Sequence, residues 1–151
     1  MRQVSDVMTP SVFVIEADSS LEDAARLMRQ HNIGMLPVIA QGALLAVLTD
    51  RDIVVRAIAL GRDPSRTRVD EIMSGRTVEI GADESVDTAI DAMTEARVRR
   101  LVVADQYHKP IGVLSIDDLA KELGDRPEVV RALHEITLAS LEYTELTGSI
   151  H

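Results

Sequence analysis

Two short stretches bring together residue types that can do chemistry: Thr49-x-x-Asp52 and Ser115-x-x-Asp118. In each, a hydroxyl is followed three positions on by a carboxylate. Each lies between an apolar run, Ala46-Val47-Leu48 or Gly112-Val113-Leu114, and an apolar helical pattern. Hydroxyl-x-x-acid at such a place is a capping box, so the spacing predicts a strand running straight into a helix. A helix start offers unpaired N–H groups and partial positive charge, which favour a phosphate. Each pair also reads as a plain helix cap worth about 1 kcal/mol, and both readings stay open at this point.

The elements that must position these residues follow from periodicity. Val4 to Pro10 reads as a short helical turn ended by Pro10, and Val12 to Ile15 as a brief strand. Asp18-Ser19-Ser20 starts a helix whose Leu21, Ala24, Ala25 and Met28 fall on one face, and Asn32-Ile33-Gly34 closes it. Met35–Ile39 and Leu44–Leu48 are strands joined by a turn around Gly42. Thr49 then caps a helix carrying Ile53, Val54, Ala57 and Ile58, stopped by Gly61. The order restarts at Val69. Val69 to Ser74 matches Val4 to Thr9 at an offset of 65, Val86 to Met93 repeats the spacing of Leu21 to Met28, and Leu101 and Val103 match Leu36 and Val38. A turn one residue longer, Asp105 to Pro110, makes the offset 66 when Thr49 meets Ser115. The chain is a tandem duplication: repeat 1 at residues 1–61, a linker at 62–68, repeat 2 at 69–124, and a C-terminal helix and tail at 125–151. Each copy is small for an independent core, so a shared one is expected.

Composition removes several classes of function. The 151 residues are 46% hydrophobic, enough for a real core. A net charge of −9 argues against nucleic acid as a partner, which calls for a basic face. Without cysteine there is no disulfide, thiolate metal site or thiol nucleophile. No apolar run approaches a membrane span and Met1 to Thr9 lacks an apolar h-region, so no membrane partner and a cytoplasmic location are expected. His31, His108, His134 and His151 show no metal-ligand spacing, and no nucleotide-hydrolysing or nucleophile-elbow motif occurs, so no enzyme is expected.

The string Met8-Thr9-Pro10, Gly34-Met35-Leu36-Pro37-Val38 and Leu48-Thr49-Asp50-Arg51-Asp52, echoed by Ile72-Met73-Ser74, Val98 to Val103 and Gly112 to Asp118, resembles a pair of cystathionine-β-synthase (CBS) domains. The resemblance covers residues 4 to 124. Its departures are Ala46 where the family often has Gly, Gly75 for a Pro, and Val102 for the Pro matching Pro37. It implies an α+β fold in which two βαββα repeats form one pseudo-two-fold module, with a C-terminal helix beyond it. It also implies two clefts between the halves, each able to take an adenosine nucleotide. In the family the acid grips the ribose hydroxyls and the hydroxyl residue bonds phosphate or ribose. Carried over, these are Thr49 and Asp52, and Ser115 and Asp118. A carboxylate repels phosphate but accepts well from vicinal hydroxyls, which agrees with that division. Adenine would lie among Met35, Leu36, Pro37, Leu101 and Val102.

Arg99 and Arg100 stand where family members often place phosphate ligands, whereas Arg97 reads as a solvated charge. Strand alternation is expected to send the Arg99 and Arg100 side chains to opposite faces, so one of them faces the cleft, with Arg100 favoured. Gly34 and Met35 hold the matching places in repeat 1 and bring no charge, so the arginine-served cleft should prefer the more phosphorylated ligand. The expected ligand is AMP, ADP or ATP, with NAD or S-adenosylmethionine also compatible, and no cofactor is required. The chain resembles free-standing bacterial CBS-pair proteins, so a regulatory homodimer with an unidentified protein target is expected. The alternative is a ligand-free dimerisation or scaffold module in which both motifs are only helix caps. Beyond Gly124, Asp125-Arg126-Pro127-Glu128 starts a further helix to about Tyr143, with Val129, Val130, Leu133, Ile136, Thr137 and Leu141 on one side. Its stripe either packs back on its own module or serves a subunit contact.

Overall fold

Caps and apolar spacing place the helices close to where the sequence predicts them. A computed structural model of the chain describes residues 2–10, 13–74 and 78–147, with side chains as far as residue 138. In chain order the elements are α1 (Val4–Val7), β1 (Thr9–Pro10), β2 (Ile15–Glu16), α2 (Leu21–His31), β3 (Met35–Ala40), β4 (Ala43–Thr49) and α3 (Asp50–Arg56). Then come 3-10 turns at Ile58–Leu60 and Val69–Glu71, β5 (Glu79–Gly81), α4 (Val86–Ala96), β6 (Arg100–Ala104), β7 (Pro110–Ser115), α5 (Ile116–Leu123) and α6 (Pro127–Thr147). The fold is α+β with two repeats and a C-terminal helix, as expected. The first brief strand lies at Ile15–Glu16 rather than Val12–Ile15, and Val12 is outside the described residues.

Local chemistry repeats between the copies. Ser20 Oγ accepts from Asp23 N at 3.1 Å and Ser85 Oγ from Thr88 N at 3.1 Å, capping α2 and α4. Both helices end in a left-handed residue, Asn32 (φ 52°) and Arg97 (φ 56°). Arg97, read from the sequence as a surface charge, therefore also has a backbone role, its N–H donating to the last carbonyls of α4. Gln41 and Gly42, both at positive φ, make the two-residue turn that matches hairpin twist. The longer second turn is tied by Asp105, whose Oδ1 accepts from Tyr107 N at 2.8 Å and Lys109 N at 3.0 Å.

The strands form two sheets. One has the order β2-β3-β4, with β2 parallel and β4 antiparallel to β3, and the other the order β1-β7-β6-β5. Two compact units result, and they cut across the repeats. One holds residues 11–77 and 104–111; the other holds 1–10, 78–103 and 112–151. Repeat 1 thus clusters with the segment that follows it. Leu21 N donates to Thr67 O, Val69 N to Ser19 O, and Val47 bridges Ser74. The opening residues instead join repeat 2, where Val4 N donates to Glu84 O at 2.9 Å and β1 pairs with β7.

In the first unit Ile15, Leu21, Ala24, Met28, Leu36, Val38, Leu48, Ile53, Val69 and Ile72 form one apolar core. Residues 62–68, expected as a linker, are tied to the start of repeat 2 by ion pairs, Arg62–Glu71 at 2.7 Å and Arg68–Asp70 at 2.6 Å. The Arg68 backbone N–H and then the Arg62 side chain hold the Glu71 carboxyl below its ordinary range. Hydrogen bonds from Ser65, side chain first and then backbone, lower Asp63 likewise. In the second unit α6 packs on α4 and α5. Val129, Ala132 and Ile136, spaced i, i+3 and i+7, are buried there, while Val130 and Thr137 are exposed. The first part of this stripe is thus covered by its own unit. The side chain of Leu141 lies outside the described residues.

Candidate functional site

In the first unit the end of β4 and the start of α3 carry a complete capping box. Thr49 Oγ1 accepts from Asp52 N at 3.1 Å, and Asp52 Oδ2 accepts from Thr49 N at 2.9 Å. This leaves the Thr49 hydroxyl proton and the second oxygen of Asp52, Oδ1, which has Arg56 Nη1 4.0 Å away. The β3–β4 register pairs Met35 with Thr49, Leu36 with Leu48 and Pro37 with Val47. Residues opposite one another share a face, so Met35, Pro37 and Thr49 lie on one side of the sheet. Leu36 lies on the other side, where it is fully buried in the core with Leu48. The three residues proposed as a group from the sequence are therefore split by strand alternation.

The second unit repeats the geometry at β7 and α5. Ser115 Oγ accepts from Asp118 N at 3.0 Å, and Asp118 Oδ2 accepts from Ser115 N at 3.2 Å. Ile116 N donates to Arg99 O at 2.8 Å, as Asp50 N does to Gly34 O at 2.9 Å. The shared bond sets Arg99 and Arg100 opposite the end of β7. Alternation along β6 puts Arg100 and Val102 on one face and Leu101 and Val103 on the other. Arg100 is exposed, Leu101 is only 1% exposed, and Val102 is also buried. Arg99 precedes the strand, and its Nη2 lies 3.6 Å from Asp117 Oδ1. Among the described residues Arg100 has no ion-pair partner.

Two acids that sequence reasoning passed over differ between the junctions. Asp50 Oδ1 accepts from Arg51 N at 2.8 Å, so in α3 the amides of Asp50, Arg51 and Asp52 are all occupied. The Asp50 carboxylate also sits against Gly34, where an added Cβ would come within 3.1 Å of Oδ2. In α5 the place of Asp50 is taken by Ile116, fully buried, and among the described residues the Asp117 N–H has no hydrogen-bond partner. The signal was present as a charge exchange between aligned positions: Gly34 and Arg51 in one copy, Arg99 and Asp117 in the other.

Both copies of the expected order, each with its reciprocated box, match the CBS domain profile over residues 4–58 and 69–125. The chain belongs to the CBS domain family. It is 40% identical over 120 residues to the CBS domain-containing protein YhcV of Bacillus subtilis, spanning 80% of this chain and 84% of that one. Among solved structures, Hypoxic Response Protein I with two coordinated zinc ions superposes with a TM-score of 0.70 at 31% identity, covering 80% of this chain and 98% of that one. The CBS domain pair of MJ0100, in complex with 5′-methylthioadenosine and S-adenosyl-L-methionine, gives a TM-score of 0.70 at 25% identity over 82% of this chain and all of that one. Among the described residues of this CBS pair, no cluster of three His, Cys, Asp or Glu could hold a metal, and no helix is long and apolar enough to cross a membrane.

Proposed function

We propose that this CBS pair is a cytoplasmic regulatory module, not an enzyme, that binds an adenine nucleotide at its hydroxyl-x-x-acid junctions. The observation that carries the reading is what each capping box leaves unused. After capping, a hydroxyl proton and one carboxylate oxygen remain at both junctions, and these are the donor and the acceptor that a phosphorylated ribose needs. The adenosine ligands of the MJ0100 pair support the same class of compound. AMP, ADP or ATP fits the arginines of repeat 2, and NAD or S-adenosylmethionine shares the adenosine part. Ligand binding would act by favouring one arrangement of the chain over another. A homodimer is the assembly proposed for the readout, because α3 and the turn after it expose Val54, Val55, Ile58 and Leu60.

A second reading has its own observation. Asp52 and Asp118 both spend one oxygen on the cap, and α3 has no amide to spare, as expected of a scaffold module that binds nothing. Thermal melting with adenine and guanine nucleotides separates the two. A ligand at a hundredfold excess over its Kd adds about 2.7 kcal/mol, a shift of several degrees. An adenine nucleotide is expected to give that shift, a guanine nucleotide less, and light scattering to give a dimer mass. If no adenine compound moves the melting point, the scaffold reading stands.

A further inference from the structure

The arginine-bearing junction contains its own anion. Arg99 Nη2 lies 3.6 Å from Asp117 Oδ1, and both side chains are well exposed, at 47% and 64%. Arg100, on the face it shares with Val102, has no ion-pair partner among the described residues. An ion pair this open to water is weak and exchanges readily for a stronger anion. A carboxylate carries one charge on two oxygens, whereas a polyphosphate brings more charge and more acceptors, and guanidinium binds it in the same forked geometry.

We infer that Asp117 sets the charge of the ligand that repeat 2 selects, by holding Arg99 as an internal counter-ion that a polyphosphate displaces and a single phosphate does not. The inference rests on the nucleotide-binding reading above and adds which residue grades the ligands. A monophosphate reaches Arg100 alone, so Asp117 keeps Arg99. A di- or triphosphate reaches past Arg100 to Arg99 and takes the place of Asp117. Repeat 1 has no equivalent, because Gly34 stands where Arg99 does and the Asp50 carboxylate fills the space beside it. The grading is thus a property of one junction, made by two side chains that take no part in its capping bonds.

Calorimetric titration of adenosine, AMP and ATP into the wild type, Asp117→Asn, Arg99→Ala and the double variant tests this. Asp117→Asn keeps the size and polarity of the side chain and removes its charge. The expected result is ATP affinity about three- to tenfold higher in Asp117→Asn, the scale of an exposed ion pair, with adenosine unchanged and AMP changed less than twofold. In the Arg99→Ala background the gain should vanish. A gain that persists there is simple removal of negative charge and overturns the inference. So does an unmoved ratio of ATP to adenosine affinity while adenosine still binds. If neither adenosine nor ATP binds the wild type or the variant, the nucleotide reading falls and the inference falls with it.

Discussion

The two strand-to-helix junctions share a capping box and differ in almost everything around it. At α3 every amide of the first turn is occupied, a carboxylate sits against Gly34, and Met35 stands at the strand start. At α5 one amide has no partner among the described residues, a buried isoleucine replaces that carboxylate, and two arginines stand beside the box. The bracing differs too. β7 gains a two-residue strand, β1, whereas β4 has an isolated bridge from Val47 to Ser74. An added Cβ on Gly112 would lie 2.7 Å from Met8 Sδ and 3.0 Å from Thr9 O, so that approach needs a glycine. The aligned residue of repeat 1 is Ala46, buried with its methyl in place. The lesson is that a cap tolerates duplication because its bonds are local, while charge and bracing come from neighbouring elements and drift independently in each copy.

The largest expected effect comes from removing the acids. Asp52→Ala and Asp118→Ala should each weaken adenosine ligands at one junction about ten- to hundredfold, the loss of charge-assisted bonds worth about 1.5–3 kcal/mol. Titration should show two separate losses, and a variant that is only about 1 kcal/mol less stable in urea but binds normally would reduce that box to a cap. Next is bracing. Gly112→Ala should cost about 1–3 kcal/mol of stability by overpacking against Thr9 O, while Ala46→Gly should cost about 1 kcal/mol or less. Equal urea midpoints for the two would break the contrast.

Arg100→Ala should lower ATP affinity about three- to tenfold and leave adenosine binding as it was, because adenosine brings no charge to lose. The smallest effect concerns acid. Glu71 and Asp63 have folded values below their unfolded ones, so their contribution is present at neutral pH and is lost as pH falls through those lowered values. Both groups belong to the unit that holds repeat 1. Between about pH 6 and pH 3, Glu71→Gln should therefore remove a little of the acid-induced loss of stability. An acid response equal to that of the wild type would show that the Glu71 carboxyl contributes nothing to it.

Much of this was legible from the chain because it is decided within a few residues. Hydroxyl-x-x-acid spacing sets three of the four caps, and a serine before an apolar helical pattern sets the fourth at Ser85. Gln41-Gly42 sets a hairpin, and the offset repeat of Leu21 to Met28 marks the duplication. The face of Leu36 was less legible, since three adjacent apolar residues look alike until a paired strand shows which of them meets Leu48. The roles of Asp50 and Asp117 were hidden because their partners, Gly34 and Arg99, lie 16 and 18 residues away and meet them only when the hairpin closes. Val4 was correctly placed as apolar, but nothing in its own neighbourhood says which copy it packs with.

That exchange of opening segments bears on how the protein can be divided. Val4 has no exposed surface, and its amide is held by Glu84, some eighty residues on. Residues 1–61 produced alone would keep the first repeat by homology and yet strand Val4 in water, while giving up Val69 and Ile72 from their own core. A cut placed one segment later, with residues 11–77 on one side, respects the buried contacts of the first unit better. The heritable unit and the folding unit are out of phase by about one short helix, so each copy of the duplication is finished by residues that alignment assigns to the start of another.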